Sequence, residues 1–92
     1  FIPVADVCYF EARADFCNAV CAEGTYLINE SISSLERRLA SEGFIRVHRS
    51  YLVNQRHILS YDAGTMTVTL DDESVVYLSR TGKARLKEAL AW

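Results

Sequence analysis

Phe44-Ile45-Arg46-Val47-His48-Arg49-Ser50-Tyr51-Leu52-Val53-Asn54 is the stretch on which the reading of this 92-residue sequence turns. Its first half has period two, with Ile45 and Val47 on one face and Arg46 and His48 on the other, which predicts a half-buried strand ending near Arg49. Cationic and hydrogen-bonding side chains then leave the strand end together. Arg49 offers the paired donors that suit a guanine edge or a phosphate, and His48 and Ser50 can bond phosphate. Asn54 has two readings of equal weight: an adenine reader, or a turn residue bonded to its own backbone.

Moving outward, Gly43 ends the segment before it. There Ile32, Leu35 and Leu39 recur at helical spacing behind Asn29 or Ser31 as N-cap, which predicts one short amphipathic helix. Val4 to Ala12, Phe16 to Ala22 and Thr25 to Ile28 are rich in β-branched and aromatic residues and read as a three-strand meander. On the C-terminal side, His57–Tyr61, Met66–Leu70 and Ser74–Leu78 are further strands. Asp62-Ala63-Gly64-Thr65 and Asp71-Asp72-Glu73, which separate them, suit tight hairpins. A last helix starts after Ser79 and carries Ala84, Leu86, Ala89 and Leu90 among Lys83, Arg85 and Lys87. The expected fold is mostly β with two minor helices.

Half the residues are apolar, 24% are charged and 11% are aromatic, so residues 1–92 can bury one core and read as a single domain. That composition excludes intrinsic disorder, and no apolar run approaches the roughly 20 residues of a membrane span. The sequence opens Phe1-Ile2-Pro3 without an initiator Met or a basic leader, and is expected to be a module of a longer protein. Three cysteines, an odd number, do not suggest a disulfide scaffold and point to a reducing cytoplasm.

The net charge of -2 argues against a nucleic-acid partner, but its distribution does not. Residues 1–45 carry three basic and seven acidic side chains, whereas residues 46–92 carry seven basic and five acidic. The cations concentrate in Arg46 to His57 and in Arg80 to Lys87, neither of which holds an acid before Glu88. Arg80 would open the last helix, where backbone donors favour an anion. The plain alternative is a solvated strand end whose charges pair with Glu42 or Asp62.

Other chemistries find little support. A thiol enzyme would need a cysteine activated by His48 or His57, yet Cys8 and Cys17 fall where a sheet wants small apolar side chains. Cys17 and Cys21 in one strand would stand about 13 Å apart, too far to share a zinc ion. No glycine-rich phosphate loop is present. A β-rich interaction or dimerisation module is the competing class, with Tyr51, Tyr61, Tyr77 and Trp92 as interface-type residues and Ser74–Leu78 as a pairing edge.

Several segments together resemble the LytTR-type DNA-binding domains, the output modules of many bacterial response regulators and related transcription regulators. They are Pro3-Val4-Ala5-Asp6-Val7-Cys8-Tyr9-Phe10-Glu11-Ala12 leading into Asp15-Phe16, Ser31 to Leu39 with Phe44, Arg46 to Asn54, and Leu78-Ser79-Arg80. The resemblance implies an elongated stack of antiparallel sheets whose loops enter successive major grooves of double-stranded DNA, as a dimer on tandem repeat sites. It implies base contacts by Arg49 and Arg80, with a third from the loop between Arg13 and Asn18, of which those two residues can best reach a base. It implies phosphate contacts by Arg46, His48, Ser50 and Lys83, no catalytic residue, no metal and no cofactor. It further implies a receiver or sensory domain on the N-terminal side, no membrane association, and one more strand before Pro3, whose absence would leave the first sheet incomplete.

Overall fold

A computed structural model of the chain describes residues 2–91. Eight antiparallel strands form two sheets: β1 (Val7–Arg13), β2 (Phe16–Cys21), β3 (Gly24–Ile28), β4 (Phe44–His48) and β5 (Tyr51–Asn54) in one, and β6 (Ile58–Asp62), β7 (Thr67–Leu70) and β8 (Val75–Tyr77) in the other. The first sheet has the order β3-β2-β1-β5-β4 and the second β6-β7-β8. Two helices complete the fold, α1 (Ile32–Arg38) and α2 (Arg80–Leu90).

The predicted meander, both helices and the three C-terminal strands all form, with ends shifted by one to three residues. Val4–Asp6 makes a 3-10 turn, so the first strand starts at Val7 rather than Val4. Ser31 is the cap of α1, its hydroxyl accepting from the Ser34 N–H at 3.1 Å, and Gly43 takes the left-handed conformation that turns the chain into β4. Asp62 Oδ1 accepts from the Gly64 and Thr65 amides, which sets the β6–β7 hairpin.

β5 is the strand that the sequence pattern did not announce. Leu52, Val53 and Asn54 are all buried, so alternation disappears, and an Asn is unusual in a strand. Asn54 belongs there because its amide donates to the Val7 carbonyl at 3.0 Å while its side-chain oxygen accepts from the Arg56 N–H. It is therefore a buried structural residue, which settles its two readings against base contact.

The five-stranded sheet is covered on both faces. Val7, Phe10, Cys17, Ala19, Cys21, Phe44 and Leu52 pack with Ile32, Leu35 and Leu39 of the α1 segment. Cys8, Ile45, Val47 and Val53 point the other way, onto Val68, Leu70, Val76, Leu78 and Leu86 of the second sheet and α2. Neighbours such as Phe44 and Ile45, or Leu52 and Val53, thus serve opposite cores, as the two-residue strand period requires. Within this sheet β1 is paired on both sides, by β2 and β5, and the sheet edges are β3 and β4.

Candidate nucleic-acid interface

Strand direction brings the β1–β2 turn, the β4–β5 turn and the start of α2 to one end of the molecule. β1 runs to Arg13, its antiparallel neighbour β5 starts at Tyr51, and β4 ends at His48, so the β1–β2 and β4–β5 turns leave the sheet side by side. The Ala12 N–H donates to the Ser50 carbonyl at 2.8 Å and ties the two together. α2 begins at the same end, because the Ser79 N–H donates to the Val47 carbonyl at 2.9 Å.

The β4–β5 turn is built from its own side chains. His48 Nδ1 accepts from the Ser50 N–H at 3.0 Å, which leaves the ring proton on Nε2 as an outward donor, and the ring lies 5.1 Å from that of Tyr51. Arg49 is exposed at the tip. Arg46 behaves differently: its Nε donates to the His48 carbonyl at 2.9 Å, one terminal nitrogen to the Arg49 carbonyl, and the other to Glu36 at 2.8 Å. The acidic partner is thus Glu36 of α1 and neither Glu42 nor Asp62.

The start of α2 is capped by Ser79, whose hydroxyl accepts from the Gly82 N–H at 2.9 Å. Gly82 is the residue that lets this helix end touch the sheet, since a Cβ there would stand 1.6 Å from the Val47 carbonyl oxygen. As a result Arg46, His48 and Arg49 share one groove with Ser79, Thr81, Gly82, Arg85 and Glu36. Arg80 is exposed beside that groove, and Lys83 and Lys87 follow it at helical spacing on one stripe. Glu36 and Thr81 had no individual signal as site residues, whereas Arg85 belongs to the basic stripe of the last helix. The glycine inside a helical pattern was the one available hint.

The β1–β2 connection is shorter than expected. Only Ala14 and Asp15 separate the strands, with Ala14 in the left-handed region. Arg13 is exposed at the turn and lies 3.9 Å from Glu11, whereas Asn18 sits within β2, paired with Glu11 and Leu27, rather than in a loop. Both still line one shallow depression with Ala12, Ala14, Phe16 and Leu27, separate from the groove at α2.

The thiols are buried and unpaired with one another. Burial, then the nearby charges of Asp72 and Asp71, push the Cys8 thiol up to about 12, the reverse of what a nucleophile or a metal ligand needs. Cys8, His57 and Asp71 hold potential ligand atoms within 4.8 Å of one another. Both His57 nitrogens are engaged, however, Nε2 with the Ala5 carbonyl at 2.7 Å and Nδ1 with Asp71 at 2.9 Å. The arrangement fits a protonated imidazole bridging two acceptors. Of the four interface-type residues, Tyr51 is half-buried against Tyr9 and His48, Tyr61 packs on the second core, Tyr77 is exposed, and Trp92 lies outside the described residues.

Comparison with known proteins matches this architecture. A family model described as the LytTr DNA-binding domain covers residues 1–91. The chain is 30% identical over 95 residues to the CO-responsive transcriptional regulator RcoM of Rhodospirillum rubrum, covering 99% of this chain and 40% of that protein. It is 27% identical over 92 residues to the sensory transduction protein LytT of Bacillus subtilis, covering 97% of this chain and 38% of that one. It therefore spans about two fifths of the length of these relatives. A solved LytTr DNA-binding domain from Bacillus cereus superposes with a TM-score of 0.87 at 28% identity, over 99% of this chain and 86% of the other. The mostly β fold, its paired antiparallel sheets, and the match along nearly the whole sequence place this chain in the LytTr DNA-binding domain family.

Proposed function

We propose that this chain binds double-stranded DNA sequence-specifically through the turns at one end of its five-stranded sheet, as the output domain of a bacterial transcription regulator. The observation that carries this reading is the gathering of His48 and Arg49 with Ser79, Thr81, Gly82 and Arg85 of the α2 start around one groove, although these two groups are at least 30 residues apart in sequence. Arg49 and Arg80 read base edges in the major groove, and Arg13, with Asn18 beside it, makes a third contact from the β1–β2 turn. His48 through Nε2, Ser50 and Lys83 bind phosphates and fix register. Arg46, half-buried and held by two carbonyls and Glu36, supports the turn in place of a phosphate contact. The exposed Leu59, Val75 and Tyr77 on the three-stranded sheet supply apolar surface for a dimer on tandem sites. A receiver or sensory domain on the N-terminal side would raise the effective concentration of two such domains on adjacent half-sites, in the cytoplasm. No catalytic step or cofactor enters this reading.

Fluorescence anisotropy of the chain on a pool of random duplexes, across a salt series, tests it. Log affinity is expected to fall linearly with log salt, and the slope divided by about -0.9 counts the phosphates contacted. Absence of binding at low salt by the folded chain would refute DNA binding by this domain alone and favour the interaction module.

A further inference from the structure

We propose that Glu36, which lies on α1 and is no DNA contact itself, is a positioning residue that aims the β4–β5 turn by holding Arg46. The proposal rests on the reading of that turn as a base-reading element. The Arg46 side chain is only 15% exposed, and one planar guanidinium spans three acceptors: the carbonyls of His48 and Arg49 and the Glu36 carboxylate. Because those carbonyls are the last of β4 and the first of the turn, gripping both fixes the peptide planes on either side of Arg49. The direction in which Arg49 leaves the backbone is thereby set. Lysine, with a single charged nitrogen, cannot reproduce this three-way fork.

Glu36 reaches this place around an open strand edge. β4 is the edge strand of its sheet, with α1 over one face and α2 over the other. Beyond that edge the Glu36 carboxylate meets Arg46 at 2.8 Å and Arg85 of α2 at 3.7 Å, while Arg85 donates to the Arg46 carbonyl at 3.5 Å. One carboxylate therefore joins α1, the edge strand and α2. It also lies between two guanidinium groups that would otherwise repel each other, and sets a negative charge in a groove whose lining includes Arg46, Arg49, Arg85 and His48.

Two separable consequences follow from that position. Neutralising Glu36 frees the turn, which weakens sequence reading, and removes a charge that repels phosphate, which strengthens nonspecific binding. For Glu36→Gln, affinity for a duplex enriched from a random pool by the wild-type chain is expected to fall about fivefold to tenfold, the scale of one ordinary hydrogen bond. Affinity for the unselected pool is expected to rise, with a steeper salt dependence. Arg46→Lys should lose a similar factor on the enriched duplex despite keeping its charge. Amide hydrogen exchange at Ser50 should quicken in both variants.

Parallel losses on both pools with a lowered melting temperature would reduce Glu36 to a structural role and overturn the proposal, as would unchanged binding and unchanged Ser50 exchange. The underlying assignment is tested separately by Arg49→Ala. If that variant keeps the full ratio of enriched to random binding, base reading by Arg49 fails, while Ser50 exchange in Glu36→Gln still reports whether the carboxylate holds the turn.

Discussion

A guanidinium can reach toward a base or hold its own backbone, and two arginines three residues apart divide these tasks. Arg46 is wrapped in carbonyls and a carboxylate, while Arg49 is exposed at the turn. Arg49→Ala and Arg80→Ala are each expected to lower specific binding by about 1–3 kcal/mol while sparing nonspecific affinity, measured by anisotropy on selected and random duplexes. Equal losses on the two would make them phosphate contacts. Asn54 shows the opposite fate of a polar side chain in the same stretch. Asn54→Ala leaves the Val7 carbonyl and the Arg56 N–H without their partner, and should lower unfolding stability by about 1–3 kcal/mol in a denaturant titration. A stability within error of wild type would mean that water replaces the amide. Alternation in the sequence separates Arg46 and His48 from Ile45 and Val47, but no local pattern tells an arginine that folds back from one that points away.

At the scale of elements, the site depends on how closely α2 approaches β4. Glycine in a helix interior is ordinarily unfavourable by about 1 kcal/mol relative to alanine, so a Gly→Ala change at an exposed helix position would be stabilising. Here the added methyl would meet the Val47 carbonyl at 1.6 Å, and the helix must move away from the strand. Gly82→Ala is expected to destabilise the chain by about 1–3 kcal/mol and to weaken specific DNA binding, read by denaturation midpoint and anisotropy. An increase in stability would show that α2 does not need this contact. The helix and its Ser79 cap were legible from sequence because capping and amphipathic spacing are local signals. β5 was not, since a strand buried on both faces has no alternation to display, and its place between β1 and β4 is set by partners distant in sequence.

Across the whole molecule, His57 links segments far apart in sequence, the turn at Ala5 and the β7–β8 connection at Asp71. The Ala5 carbonyl, followed by Asp71, holds the His57 imidazole above its ordinary value, so the protonated ring is favoured in the folded chain. The stability it contributes is complete below an unfolded pKa of about 6.5 and is lost as pH rises through the higher folded value. Thermal melts should show the wild type losing stability relative to His57→Gln as pH rises above about 6.5; a constant difference across that range would remove the imidazolium bridge. By itself the sequence determined the mostly β character, both helices with the Ser79 cap of the second, and the concentration of positive charge in two windows. These follow from composition and from side-chain periods that repeat over a few residues. Only the tertiary structure decided that Arg46 to Arg49 of the first window meets the start of the second, that Arg46 turns inward to Glu36, and that Gly82 is the point of closest contact, because each depends on strand pairing and helix docking between residues separated by 10 to 39 positions.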